Sequence, residues 1–298
     1  AAGLRKQESR VIGVIIPEIV NHFFSSVIKG IMQVAYDADY RVMLCQSDES
    51  YEKEVADANA LFNSRVDGLL VSLAHHTKSL THFEAFLNAG TPLVFFDKVP
   101  QIESMAQTSK VAVNDYEGAY QMVSHLIEQG AKRIAHLRGP MMAYTSRKRY
   151  EGYCKALQDH NLPLDPQLVL DTVDISMEEG RQFARQLLQL PEKCDAIFCI
   201  TDKVAIGTID ALKSEGVRVP EDILVAGFSD WQVSAVIDPP LSSVAQPSLE
   251  MGKQAMELLL KEINATKNNL DVQHQFIELT TQLKLRTSST RTTVAKTH

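Results

Sequence analysis

The feature that most limits what this sequence can fold into is an alternation of short apolar runs, rich in β-branched residues, with stretches that carry the stripe of an amphipathic helix. The runs are Val11–Pro17, Arg41–Ser47, Gly68–Leu73, Pro92–Asp97 and Val111–Asn114, then Ile134–Pro140, Leu168–Thr172, Ala196–Ile200, Leu224–Phe228 and Ser242–Gln246. A strand that returns parallel to its predecessor through a helix forms a right-handed βαβ unit, so the alternation predicts parallel sheets. VIGVII and DGLLVSL are apolar nearly throughout, as strands covered on both faces are. Between the runs, Val20, Phe23, Phe24, Val27, Ile28, Ile31, Val34 and Ala35 fall at helical spacing, as do Ala119, Met122, Val123, Leu126 and Ile127. Gly90, Gly130 and Gly216 punctuate the series where helices end.

About ten strands is more than one doubly wound sheet holds comfortably, and the series divides near Asn114 into two similar sets. The expected fold is therefore α/β with two Rossmann-like lobes. A helix is predicted over Leu249–Ile263, then a polar stretch, Asn264–Asn269, and a last strand, Phe276–Leu285. The tail Thr287–His298 is almost without apolar residues and is expected to be disordered. Ligands of open parallel sheets bind outside the carboxyl ends of the strands, so two such lobes imply a cleft between those ends.

Composition excludes some partners. A chain of 298 residues with 45% hydrophobic residues has the makings of a sizeable core, and its formal charge of -7 disfavours a nucleic-acid groove binder. No run is long enough to cross a membrane as a helix, which makes a cytoplasmic location the expectation. Cys45, Cys154, Cys194 and Cys199 are scattered, with neither metal-ligand nor disulfide spacing. The first strand–helix turn reads IIPEIVNHFFSS, without the glycines that let a backbone approach a dinucleotide pyrophosphate. His75 and His76 are adjacent, so their side chains diverge and make a poor metal pair. No cofactor or metal is expected. Asp97, Asp115, Asp202 and Asp230 stand at strand ends, where they fit helix capping, Asp202 before KVAIGTIDAL above all. They also fit hydrogen bonding to a polyol, and less well acid–base catalysis.

Longer strings carry more than pattern. VIGVIIP, NHFFSSVIKGI, RVDGLLVS, TPLVFFD, VAVNDYEGAYQMVSHLIEQGAKRIAHLRGP, SRKRYEGYCKAL, AIFCITDKVAIGTIDALKSEGVRVPEDILVAGFSD and DPPLSSVAQP occur in that order. Together they resemble the lactose-repressor and purine-repressor family of bacterial transcription factors, from about Leu4 to Leu285. The resemblance implies two periplasmic-binding-protein-like lobes joined by three crossover segments, near Asn114, Gln246 and Asp271–Phe276. Residues 10–113 with 247–273 would form the N-terminal lobe, and residues 114–246 with 274–286 the C-terminal lobe. Residues 1–9 resemble the end of a hinge and its linker, with Leu4 at the position of a leucine that wedges into the minor groove; the DNA-reading head would precede it. A small-molecule effector, a homodimer and operator DNA for the full-length protein are implied partners.

Carried over position by position, the resemblance places Phe23 and Phe24 as an apolar wall, with Ser72, Asp97 and Asp115 as polar pocket residues. From the second lobe come Thr145, Arg149, Ile175, Thr201, Ser229, Asp230 and Gln246. Arg149 is the strongest choice, because its planar fork can take two hydroxyls or a carboxylate; the competing reading is a surface salt bridge. Relatives often carry an acidic residue at the position of Ser229, so GFSD lacks one anion and points to a neutral or acidic sugar, with Trp231 as a further stacking face. The implied action is a population shift transmitted to DNA, without catalysis, and the sequence leaves induction and corepression both open. The alternative is the solute-binding protein of a sugar transporter.

Overall fold

The structure is a computed structural model that describes residues 8–20, 22–101 and 105–291. The chain divides into two compact units. The first runs to Val113 and adds Met142–Tyr144 and Pro247–Leu279; the second holds Asn114–Met141, Thr145–Gln246 and the chain from Thr280.

In the first unit, β1 (Val11–Ile16), β2 (Arg41–Gln46), β3 (Gly68–Val71), β4 (Leu93–Phe96), β5 (Ser109–Val113) and β11 (Phe276–Leu279) form one sheet in the order β11-β5-β4-β3-β1-β2, every pair parallel. Successive residues of one strand enter different cores. Val14 and Ile16 pack with α1 (His22–Asp37) and α8 (Ser248–Lys267), whereas Ile15 packs with α2 (Tyr51–Asn63) and α3 (Thr81–Asn88). Two-sided burial is why these strands read as unbroken apolar runs.

The second unit repeats the plan. Its strands are β6 (Ile134–Arg138), β7 (Val169–Asp171), β8 (Ala196–Cys199), β9 (Leu224–Phe228), β10 (Ser242–Ala245) and β12 (Gln282–Lys284), ordered β12-β10-β9-β8-β6-β7. Only β12 among them runs antiparallel to its neighbour. One face carries α4 (Asp115–Glu128) and α5 (Tyr144–Asp159), and the other α6 (Met177–Leu188) and α7 (Asp202–Ser214).

Three expectations are corrected. The single last strand is two strands in two sheets: Phe276–Leu279 pairs with Lys110–Val113, so residues 274–279 belong with the first unit, and Gln282–Lys284 pairs with β10. FIELTTQLKL contains no glycine or proline to mark the break, which falls at Thr280 and Thr281. The polar stretch after Ile263 continues α8 to Lys267. The tail is ordered as far as it is described: Thr287–Ser289 forms a 3-10 turn with Ser288 and Ser289 fully buried. Ser288 Oγ donates to the Val225 carbonyl at 2.6 Å, and Ser289 Oγ lies 2.6 Å from Ser242 Oγ and 2.9 Å from His125 Nε2. Hydroxyl hydrogen bonds, not apolar burial, anchor this segment, so composition hides it. Residues 292–298 and Leu4 lie outside the described residues.

Two buried polar groups organise the second unit. His136, on β6, is wholly buried between Phe198 and Tyr153, ring centroids 4.9 and 5.0 Å away. Its Nδ1 lies 2.9 Å from the Phe198 carbonyl oxygen, and burial pushes its pKa down to about 4. Asp202 opens α7, but Thr201 caps the helix, accepting from Val204 N–H at 3.4 Å. The Asp202 carboxylate instead accepts from Trp231 N–H and Ser234 Oγ at 2.7 Å each, and from Ser243 Oγ at 2.5 Å. Burial raises its pKa to about 6 against the pull of these donors.

Helix pairs in each unit meet at glycines. A Cβ at Gly252 of α8 would overlap the Val27 carbonyl oxygen of α1, and one at Gly207 of α7 would overlap that of Met177. Gly252→Ala should therefore lower the stability of the first unit by about 1–3 kcal/mol through overpacking, seen as an earlier denaturation midpoint by circular dichroism. The two buried groups should oppose each other in pH dependence. His136 is charged more readily in the unfolded chain, so its contribution is present above pH 6.5 and is lost as pH falls towards 4; Asp202 is charged less readily in the fold, so its contribution grows as pH falls through 6. Each amounts to about 3 kcal/mol. Midpoints measured from pH 7 to 4 should fall more steeply in Asp202→Asn than in the parent chain, and less steeply in His136→Phe.

Candidate functional site

Of the residues marked by the sequence, Ser72, Asp97, Asp115, Thr201, Ser229, Asp230 and Gln246 follow the ends of strands, and Phe23, Phe24, Thr145 and Arg149 lie in helices. In the second unit the centre is Arg149, in α5. Its Nε donates to Asp115 Oδ1 at 2.7 Å, its Nη1 to the Ile200 carbonyl oxygen at 2.7 Å, and its Cζ sits 3.6 Å from the centre of the Phe228 ring. The guanidinium thus joins α4, α5 and the ends of β8 and β9. Arg149 is 5% exposed and Asp115 1%, so this is a buried ion pair and not the surface salt bridge that the sequence left open. Asp115 is no helix cap: Asn114 caps α4, accepting from Glu117 N–H at 2.9 Å, and the Asp115 carboxylate serves the arginine. Two groups of the Arg149 fork are occupied, and among the described residues no hydrogen bond engages Nη2.

Around it the backbone takes conformations that L-residues seldom adopt. Ile175 has φ 49°, Ser229 φ 103° and Asp230 φ 50°. A β-branched residue in the left-handed region is uncommon, and such conformations persist where the surroundings enforce them. At Ile175 the enforcer is Glu179, whose carboxylate accepts from the N–H groups of Val173, Asp174 and Ser176 and closes a capping box with Ser176. At the other turn, Ser229 N–H donates to Val244 O at 2.8 Å and Asp230 N–H to Ser243 Oγ at 2.9 Å. Asp230 Oδ1 accepts from Arg286 Nη2 at 2.7 Å. Trp231 follows, half-buried, its N–H held by Asp202. Thr145 is buried on the first turn of α5, Thr201 is the α7 cap, and Gln246 follows β10 half-buried.

In the first unit Phe23 and Phe24 are buried against each other edge to face, centroids 5.1 Å apart, as part of the α1–α8 core. Ser72 follows β3, and its Oγ lies 3.5 Å from Asp97 Oδ2 at the end of β4, where Asp97 has φ 57°. Sequence reasoning missed the next residue. Lys98 is 7% exposed, pairs with Glu49 and stands 5.8 Å above the Phe24 ring. Glu49 also accepts from His75 N–H at 2.8 Å, and its carboxylate lies 3.3 Å from His75 Nδ1, so His75 joins a strand-end charge cluster. A lysine directly after the apolar run LVFFD was the available signal. The structure thus joins Asp115 to Arg149, and Asp230 and Trp231 to the Asp202 network; in the first unit it joins Phe23 to Phe24 and Ser72 to Asp97.

None of the described helices is long and apolar enough to cross a membrane. The profile described as "Periplasmic binding proteins and sugar binding domain of LacI family" matches residues 9–280. The HTH-type transcriptional repressor PurR of Haemophilus influenzae (strain PittEE) is 32% identical over 289 residues, which cover 97% of this chain and 84% of that one. Among solved structures, the transcriptional regulator CelR–cellobiose complex superposes with a TM-score of 0.85 at 26% identity, covering 96% of this chain and 86% of that chain. A LacI family transcriptional regulator from Enterococcus faecium with bound ribose gives a TM-score of 0.82 at 26% identity, covering 94% and 98%. With its doubled parallel sheets and a profile match across nearly its whole length, the chain belongs to the LacI family of transcriptional regulators.

Proposed function

We propose that this chain senses a sugar-like small molecule at the carboxyl ends of its strands and passes the signal to a DNA-binding segment that controls transcription, by binding alone and without turnover. The observation that carries this reading is Arg149: a buried guanidinium fixed by Asp115 and the Ile200 carbonyl at a strand-end position, with donor capacity left over. A planar fork on a rigid support suits paired ring hydroxyls. Thr145, Thr201 and Gln246 add neutral donors and acceptors, Ile175 and Phe24 apolar surface, and Ser72 and Asp97 the polar groups of the first unit. The cellobiose and ribose named for two structural neighbours agree with this class of ligand. No step needs a perturbed acid or base: Asp115 and Asp230 are each engaged by an arginine.

The regulator acts as a homodimer in this reading, with α1 and the edge strand β2 of the first unit as a contact face. Met32 and Tyr36 on α1 leave 54% and 81% of their surface exposed, Met43 on β2 42%, and Val20, just before α1, 87%. A second copy would cover this apolar surface.

Titration calorimetry against neutral hexoses, pentoses and disaccharides should find a binder. Arg149→Lys, which keeps the charge and loses the fork, and Thr201→Ala should each weaken that binder by about 10–100-fold, the loss of one or two polar contacts, with unchanged circular dichroism. Unchanged affinity in both would remove the site. Sedimentation velocity should show a dimer, and Tyr36→Glu combined with Met43→Glu should shift it to monomer.

A further inference from the structure

Resting on the sugar-sensing reading, we infer that Glu179 is a positioning residue for that site: without touching a sugar, its carboxylate preforms the turn after β7 that carries Ile175, and so sets how tightly a neutral sugar is held. Geometry puts Ile175 at the site. It is half-buried and packs on the core that contains Ile200, the residue whose carbonyl fixes Arg149. Both side chains close on Gly139, which follows β6: a Cβ there would lie 3.3 Å from Ile200 Cγ1 and 3.4 Å from Ile175 Cδ1. The turns after the carboxyl ends of β6, β7 and β8 therefore meet at the residue that anchors the guanidinium.

Glu179 is what holds this turn in shape. Thr172 is tied to the end of β6, giving its N–H at 2.8 Å and its hydroxyl at 2.9 Å to the Arg138 carbonyl oxygen. Val173 and Asp174 are exposed, the former by 59%, so apolar packing does not fix the path from there to Ile175. Ile175 moreover stands at φ 49°, where a β-branched side chain is strained. The Glu179 carboxylate offsets that strain: Oε1 accepts from Val173 N–H at 2.6 Å, and Oε2 from Asp174 and Ser176 N–H at 3.1 and 3.2 Å. These donors need an acceptor at both oxygens, and a glutamine would turn one of them into an N–H donor facing N–H groups. Ser176 does a different job, capping α6 by accepting from Glu179 N–H at 3.2 Å. Helix cap and turn clamp are thus separable by mutation. A turn that held its left-handed conformation only about a tenth of the time would bind about tenfold more weakly.

The test titrates the neutral hexose, pentose and disaccharide panel, beginning with glucose, galactose, ribose and cellobiose, calorimetrically into the whole chain and its variants. The tightest-bound sugar of the panel should bind Glu179→Gln about tenfold more weakly than the parent. Ser176→Ala, which loses the cap and keeps the clamp, should lower the denaturation midpoint as Glu179→Gln does, yet change affinity by less than about twofold. Ile175→Gly should weaken binding, and adding Glu179→Gln to it should cost no further affinity, since no side chain remains to position. By hydrogen exchange the amides of Val173, Asp174 and Ser176 should be protected in the sugar-free parent, unprotected in sugar-free Glu179→Gln, and protected again when that variant is saturated with the same sugar. Equal affinity losses in Glu179→Gln and Ser176→Ala would mark a merely structural role and overturn the inference. So would additive losses in the double variant, or parent amides that become protected only on sugar binding. If the folded parent chain binds no sugar of the panel, the sensing reading itself fails and this inference with it; a sugar bound equally by the parent and by Glu179→Gln overturns this inference alone.

Discussion

The Asp202 carboxylate holds together three segments that are far apart in sequence. A buried carboxylate costs several kcal/mol unless donors converge on it. Here they are a backbone N–H from the turn after β9 and hydroxyls from Ser234 and Ser243. No cation shares the site among the described partners, so burial outweighs the hydrogen bonds and the acid is weakened. The close approach also needs a residue without a side chain opposite it: a Cβ at Gly227 would overlap Asp202 Oδ1. The strings ITDKVAIG, VAGFSD and LSSVA therefore describe one arrangement. Gly227 admits the carboxylate, the carboxylate fixes Trp231 and Ser243, and Ser243 fixes Asp230 in a left-handed conformation that it would not hold alone.

How much of this could be read beforehand follows from what kind of interaction made each part. Strands of both sheets were legible because their residues enter cores on two faces, which imposes unbroken apolar runs. Helices were legible from their stripes. What failed was held by polar contacts, which have no period. The Thr287–Ser289 turn is fastened by serine hydroxyls and reads as a disordered tail. Phe276–Leu279 and Gln282–Lys284 read as one strand because edge strands exposed on one side keep a weak pattern across the break. Capping was assigned one residue late at α4 and α7: Asn114 and Thr201 take the N–H groups, and the acids beside them do other work.

The candidate site was legible in position and not in wiring. Arg149 and Asp115 both stood out, yet only the fold shows that they bind each other. Glu49 and Lys98 escaped notice because two charges 49 positions apart carry no mutual signal until the segments that follow β2 and β4, strands with β1 and β3 between them, bring the side chains together. Ser229 drew attention as a missing anion; its φ of 103° adds that the turn is strained and that its shape is enforced from Asp202 and Ser243.

A binding site has to hold polar groups ready without spending them on one another. The candidate site proposed in the second unit meets this requirement by division of labour. Arg149 commits Nε and one Nη1 proton to fixing its own orientation and keeps the rest of its fork, and the Phe228 ring beneath it supplies a face that competes for none of its donors. A lysine there would carry the same charge but could not be anchored at one nitrogen while offering another. Because the arginine is held by a partner that does not exhaust it, the rigidity that preorganisation requires and the open valences that recognition requires come from the same ion pair. On the proposed sensing role, discrimination among ligands would rest on where hydroxyls fall relative to the fixed Arg149 fork.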